Sequence, residues 1–367
     1  MRFSCDAQAL CAALGIVSHS LPVRSPKPIL EGILLESEEG GLRLTCSDFA
    51  LGITTLLEAE IAEEGRALLP GKFFCDLARK LPGGRCEIAV DERMQASIHC
   101  QSFHMTLSGL DPVEYPELPE VDGARFAMEQ GALREMINGT LFATAVEEDR
   151  PILTGLLLEI TPESMGVVAL DGFRLALRRQ SIAGPSAEVA TVLGAKALSD
   201  VARILQDSES PVEIAVGQSH TAFSIDQTHV IVRALEGEYI RYRQILPAEW
   251  KTSTSVARRD LESAIDRASL IAREGKNNLV RFAIEGDEVL VSSNSQTSDS
   301  QERIPAQTRG DGLTIAFNVR YITDILKVIG EERVVMRFNS NVSPCVICPE
   351  ASDAALYLVL PVRVFAS

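Results

Sequence analysis

The sequence predicts an α+β fold made of three repeats, each with two helices packed on antiparallel sheet. Three observations predict it. A ten-residue segment occurs three times, as KFFCDLARKL from Lys72, KALSDVARIL from Lys196 and RYITDILKVI from Arg320, with starts 124 residues apart. A short strand-like run follows each copy: Glu87–Val90, Glu213–Val216 and Val334–Arg337, the first two being the same four residues. Pro-Ile-Leu precedes an apolar run twice, at Pro28 before Ile33–Glu36 and at Pro151 before Leu156–Glu159; Leu279–Glu285 is a looser third version. A fixed period of this kind marks an architecture assembled by repetition.

Each repeat opens with a helix. The pairs Leu10/Leu14, Leu133/Ile137 and Leu261/Ile265 share the i, i+4 spacing of one helix face. Asp6 and Asp260 are placed to cap such starts. Alternating stretches such as His220–Val232 and Glu288–Ser293 suit half-exposed strands. The repeats end alike, at Tyr115–Pro119 and Tyr242–Pro247, and linkers fall near Glu120–Ala124 and Ala248–Ser253. The predicted domains are residues 1–122, 123–250 and 251–367, an ordinary domain size.

The triplicated segment reads as a helix with two faces. Successive helical residues turn by about 100°, so Lys72 and Arg79 share one side and Phe74, Leu77 and Leu81 the other. Lys196 and Arg203 stand likewise against Leu198, Val201 and Leu205, and Arg320 and Lys327 against Ile322, Ile325 and Ile329. Asp76, Asp200 and Asp324 lie four after the first cation and three before the second, within reach of either. One copy alone would be a solvated face. Three in one register point to a basic surface assembled from equivalent helices.

Composition limits the function. Formal net charge is −16 and the pI about 4.9, which argues against indiscriminate coating of nucleic acid but leaves room for a local basic lining. Met1–Leu14 carries Arg2 and Asp6 and no long apolar run, so no signal peptide is expected. No stretch has the roughly 20 apolar residues of a membrane span. The eight Cys form no regular framework, as expected of reduced thiols in the cytoplasm. Cys345-Val346-Ile347-Cys348 matches C-x-x-C, but in a strand its two thiols point oppositely and no second pair follows. The five His are scattered, no phosphate-binding, dinucleotide or hydrolase motif occurs, and no metal, cofactor or catalytic residue is predicted. Asp171-Gly172 reads as a hairpin turn and Glu147-Glu148-Asp149 as a charged loop.

Several motifs, in order on this triplicated chain, resemble one family. They are Pro28-Ile29-Leu30, Lys72-Phe73-Phe74, Leu170-Asp171-Gly172-Phe173-Arg174-Leu175, Phe317-Asn318-Val319-Arg320-Tyr321 and the ending Tyr357–Arg363. The chain resembles, over its whole length, the bacterial DNA sliding clamps, the beta subunits of the replicative DNA polymerase holoenzyme. The resemblance implies a non-enzymatic processivity factor: a head-to-tail homodimer of three-domain chains, closed into a ring around duplex DNA. Helices would line the hole, with the sheets outside. Contacts with phosphate carry no sequence information and let a ring slide.

The resemblance also assigns residues. Lys72, Arg79, Lys196, Arg203, Arg320 and Lys327 would face DNA, joined by Arg24 from the loop before Pro28. A groove for short hydrophobic peptides would be lined by Leu153, Leu170, Gly172, Phe173, Arg174 and Leu175, with Ile245 from the connector. From the third domain come Asn318, Tyr321, Val342, Leu360, Pro361, Val362 and Arg363. It would receive the polymerase catalytic subunit, the clamp loader, repair and translesion polymerases and mismatch-repair proteins. Met105 and Leu107 of one chain would meet Leu270 and Ile271 of the other. Phe173 departs from many relatives, Pro344 reads as interrupting a strand beside the groove, and Val364–Ser367 runs past the family's usual end. Two alternatives remain: an enzyme with a site between repeats, near Asp171 and the acidic loop, and a scaffold that binds protein but never DNA.

Overall fold

The computed structural model describes residues 1–146, 149–274 and 278–363. Glu147 and Glu148 of the acidic loop and the tail Val364–Ser367 lie outside the described residues. Among those described are six α-helices, two per repeat: α1 (Ala7–Val17), α2 (Gly71–Ala78), α3 (Gln130–Asn138), α4 (Ala195–Ile204), α5 (Arg258–Glu274) and α6 (Val319–Lys327). None is long and apolar enough to cross a membrane.

The helix starts follow local chemistry. Asp6 caps α1, its Oδ1 accepting the backbone N–H of Gln8 (2.8 Å) and Ala9 (3.0 Å). Asp260 is not a cap: it lies in the first turn of α5, where its charge complements the helix dipole. The apolar pairs that predicted α1, α3 and α5 are all buried. Leu77 and Leu81 of the first repeated segment are only half-buried; α2 ends at Ala78 with Arg79 as its C-cap, so Leu81 lies beyond the helix. The three strand-like runs after the repeated helices are strands, within Arg85–Val90, Pro211–Val216 and Arg333–Phe338, and the two Pro-Ile-Leu runs are 3-10 turns, Pro28–Glu31 and Pro151–Thr154.

The chain forms two compact units, and the second repeat contributes segments to each. The first unit comprises Met1–Arg134, Ala183–Val189 and Lys196–Ala234. It holds a five-stranded antiparallel sheet in the order Glu60–Glu63, Arg2–Asp6, Arg85–Val90, Gln95–Cys100, Phe103–Ser108. Its eight-stranded sheet runs Ala124–Glu129, Pro211–Val216, His220–Ile225, Thr228–Arg233, Leu51–Leu57, Gly41–Ser47, Gly32–Glu38, Arg66–Pro70. Repeat one meets repeat two inside this sheet, where Leu51–Leu57 pairs antiparallel with Thr228–Arg233 and Leu51 lies opposite Val232.

The second unit comprises Glu135–Ile182, Ala190–Ala195 and the chain from Leu235. Its sheet has twelve strands. Arg174–Ser181 of repeat two pairs with Ala355–Val359 of repeat three, Arg174 opposite Val359, which is the same seam one repeat later. One hydrogen bond recurs in all three repeats and fixes their equivalence: Leu110 N–H to Leu68 O, Leu235 N–H to Val192 O and Val362 N–H to Ala316 O, each 2.8 Å.

Candidate functional site

The six repeated-segment cations are all exposed, as is Arg24 in the loop before Pro28. Opposite them, Phe74, Leu198, Val201, Leu205, Ile322, Ile325 and Ile329 are buried. The helices thus carry the two faces that their periodicity predicts. The Asp in the middle of each segment takes three different partners. Asp76 bonds Arg79 at 2.7 Å, both half-exposed. Asp200, with a side chain only 7% exposed, receives Arg203 at 3.0 Å and His19 Nδ1 at 3.2 Å. Asp324 receives Arg174 Nη1 at 2.6 Å, while Arg320 Nε stands 3.8 Å away. Lys196 Nζ lies 3.9 Å from Asp48 and is otherwise solvated. Among the described residues none forms an ion pair with Lys72 or Lys327.

The predicted groove residues all lie in the second unit. The Ser164–Leu170 and Arg174–Ser181 strands turn through Asp171-Gly172-Phe173. Asp171 Oδ1 accepts the backbone N–H of Phe173 (2.9 Å) and Arg174 (3.0 Å). Gly172 sits at φ +89°, a conformation that costs a residue without Cβ little. This turn leaves Phe173 58% exposed, its ring stacked on Tyr321 at 6.2 Å. Burial, helped by nearby carboxylates, holds the Tyr321 phenol above its ordinary pKa.

Arg174 is buried beneath that lip. Its guanidinium lies over the rings of Tyr321 (4.7 Å) and Phe142 (5.2 Å) and donates Nε to Asp171 at 2.9 Å. Cation–π contact with two rings and ion pairs with two carboxylates leave it little freedom. Leu153, Leu170 and Leu175 belong to an apolar cluster with Tyr242, Val346 and Leu358, and Leu360 packs half-buried against it. Ile245 (42%) and Val342 (55%) stay exposed. The chain end is held in place: Leu360 N–H donates to Phe173 O at 2.9 Å, and Val362 bonds Ala316. Pro361 is half-buried and Arg363 exposed. Asn318 caps α6, its Oδ1 accepting Arg320 N–H at 3.0 Å. An apolar floor with exposed rings above it fits the capture of a peptide's hydrophobic anchors.

One expectation changes here. Pro344 does not interrupt a strand; it precedes the strand Cys345–Pro349. Cys345 and Cys348 are both buried in that strand, and burial pushes both thiols up. Sequence reasoning missed Phe142 and the role of Asp324 as the partner of Arg174. Phe142 lies in a short 3-10 turn, Leu141–Ala143, with no motif to mark it.

Met105 and Leu107 are half-buried on the Phe103–Ser108 strand, which ends its sheet. Leu270 is 66% exposed and Ile271 half-buried on α5. Both pairs lie at the surface of their own units.

Comparison with known proteins gives one consistent answer. Residues 1–119, 127–240 and 243–363 match the models of the DNA polymerase III beta subunit N-terminal, central and C-terminal domains. The chain is 32% identical to the beta sliding clamp of Synechococcus elongatus, over 99% of each. The sliding clamp structure of Bacillus subtilis superposes with a TM-score of 0.96 at 30% identity, over 100% of each chain. That of Pseudomonas aeruginosa bound to griselimycin gives 0.94 at 27% identity, over 99% of this chain and 100% of the other.

Proposed function

The chain belongs to the DNA polymerase III beta subunit family, the beta sliding clamps, non-catalytic processivity factors of DNA replication; from that premise we propose how its parts work. The domains run 1–122, 123–250 and 251–367, which the three matched family segments support. Two copies associate head to tail and close around duplex DNA in the cytoplasm. Arg24 and the six helix cations face the phosphates. The Phe173 groove receives hydrophobic peptides of the polymerase, the clamp loader, and repair, translesion and mismatch-repair proteins.

One observation carries the closure. The seam between consecutive repeats occurs twice within the chain, and the third equivalent pair of strand edges has no partner among the described residues. Phe103–Ser108 corresponds to Thr228–Arg233 and Ala355–Val359, by the recurring hydrogen bond of Leu110, Leu235 and Val362. Residues 299–305 correspond to Leu51–Leu57 and Arg174–Ser181; beyond them the Asp299–Arg309 strand pairs with Thr252–Ala257. The preceding turns agree: Asp48 bonds the N–H of Ala50 and Leu51, Asp171 those of Phe173 and Arg174, and Ser295 Oγ those of Thr297 and Ser298. Leu51 faces Val232 and Arg174 faces Val359. Repetition therefore places Ser298 opposite Leu107 of a second copy, and Ser300 opposite Met105. An open edge completed by its own equivalent generates a head-to-tail contact that a rotation can close.

The test is retention on a nicked circular plasmid after loading with ATP and the cognate loader, before and after the DNA is linearised. Retention on circles with loss after cutting is the expected result. Equal retention on both forms refutes topological closure. Cysteines at Ser300 and Met105 should cross-link two chains on oxidation; no covalent dimer would remove the proposed register.

A further inference from the structure

We propose that Arg174 is a positioning residue that ties the peptide groove to the charge α6 presents to DNA, by occupying the carboxylate of Asp324 that would otherwise neutralise Arg320. The inference rests on the reading of α6 as DNA-facing. In α2 and α4 the central Asp is spent on the second cation of its own helix, Arg79 at 2.7 Å and Arg203 at 3.0 Å. In α6 it is spent on a residue from another repeat. Arg174 Nη1 and Arg320 Nε approach the same oxygen, Asp324 Oδ2, at 2.6 and 3.8 Å. Arg174 holds the closer place because Asp171 and two aromatic rings fix its guanidinium. Arg320, 78% exposed, keeps only a long 3.8 Å pair with Asp324 and extends into solvent, where a phosphate can reach it. Without Arg174, Asp324 loses its closer partner one helical turn from Arg320, and the 3.8 Å i, i+4 pair between them tightens.

The arrangement places one element in both sites. Tyr321 walls one face of Arg174 and carries the stacked ring of Phe173 on the exposed lip. A peptide seated on that lip presses on the ring that holds Arg174. Occupancy of the groove and availability of Arg320 are therefore set through the same side chain, and any coupling between them is reciprocal.

The experiment is the salt dependence of binding to a short fluorescent duplex, read as the slope of log affinity against log salt concentration. Arg174→Met keeps an apolar filler against the rings and removes the charge. It should reduce the slope by about 0.9, the loss of one phosphate contact. Asp324→Asn added to it should restore the original slope, because no carboxylate remains to claim Arg320. A merely structural loss would not be restored. An unchanged slope in Arg174→Met, or a reduced slope that Asp324→Asn fails to restore, overturns the proposal. If Arg174→Met does not fold, Asp171→Asn loosens the guanidinium and is judged by the same two criteria. Arg320→Gln is the control: if it leaves the slope untouched, the DNA-facing reading of α6 fails instead.

Discussion

The two seams of this chain share a scaffold and differ in what they leave open. In the first unit the Asp48 turn leads into Leu51–Leu57, and Arg233 N–H donates to Ala50 O at 2.8 Å. In the second the Asp171 turn leads into Arg174–Ser181, and Leu360 N–H donates to Phe173 O at 2.9 Å. Both turns need a positive φ, Phe49 at 69° and Gly172 at 89°. A buried tyrosine stands at the start of each connector, Tyr115 and Tyr242. The side chains then diverge. Ala50 stands where the second seam has Phe173, and Ala197 where it has Tyr321. Gly52 replaces Leu175, and Leu118 of the connector folds over it so closely that a Cβ there would collide. Its counterpart Ile245 remains 42% exposed. The first seam is closed by its own connector. The second leaves Phe173 and Ile245 exposed over its apolar cluster. A handful of substitutions on a common backbone separates a covered seam from an uncovered one.

The joints also differ in how they hold, and the largest expected effect tests this. Arg178 is buried in the second seam and donates to Tyr357 Oη at 3.1 Å, to Val328 O at 2.9 Å and to the Glu135 carboxylate. The equivalent position in the first seam is Thr55, whose hydroxyl meets that of Thr228 at 2.8 Å. Removing Arg178 strands a tyrosine hydroxyl and a helix-end carbonyl, so Arg178→Met should cost about 3 kcal/mol in urea unfolding. Thr55→Val loses a neutral hydrogen bond and should cost about 1 kcal/mol. Equal losses would mean that the charged seam is no stronger than the hydroxyl one.

Some of this was legible in the sequence and some was not, for physical reasons. The repeats, the six helices and the exposed cations follow from local periodicity, which the triplication makes unambiguous. The Asp pairings do not follow. From spacing alone Asp76, Asp200 and Asp324 are identical, yet His19 and Arg174 come to two of them from distant sequence. Asp260 fails as a cap because the helix starts three residues earlier than its side chain implied. The groove residues were assigned by resemblance alone; nothing local marks Leu153 or Val342. Phe142 had no signal, because its role is only to lie under a guanidinium.

A smaller effect concerns peptide capture. Phe173→Ala removes the exposed ring that stacks on Tyr321 and should weaken binding of a hydrophobic clamp-binding peptide by about tenfold or more. Calorimetric titration of the intact chain should give one site per chain, because Leu118 occupies the corresponding place in the first seam. Two equal sites would contradict the comparison directly.

The smallest effect probes that plug. In Gly52→Ala the new methyl meets the Cδ end of Leu118, which has to shift. Overpacking at a half-buried contact should cost about 1 kcal/mol. The reverse change, Leu118→Ala, exposes Gly52 and the turn beside it but supplies no counterpart of Phe173 or Tyr321. It should therefore leave peptide stoichiometry at one per chain, even though the cover is gone. If Leu118→Ala alone created a second binding site, the connector would be the whole difference between the seams, and the aromatic lip would be secondary. If only Leu118→Ala combined with Ala50→Phe and Ala197→Tyr did so, the rings would be the determinant and the plug a bystander.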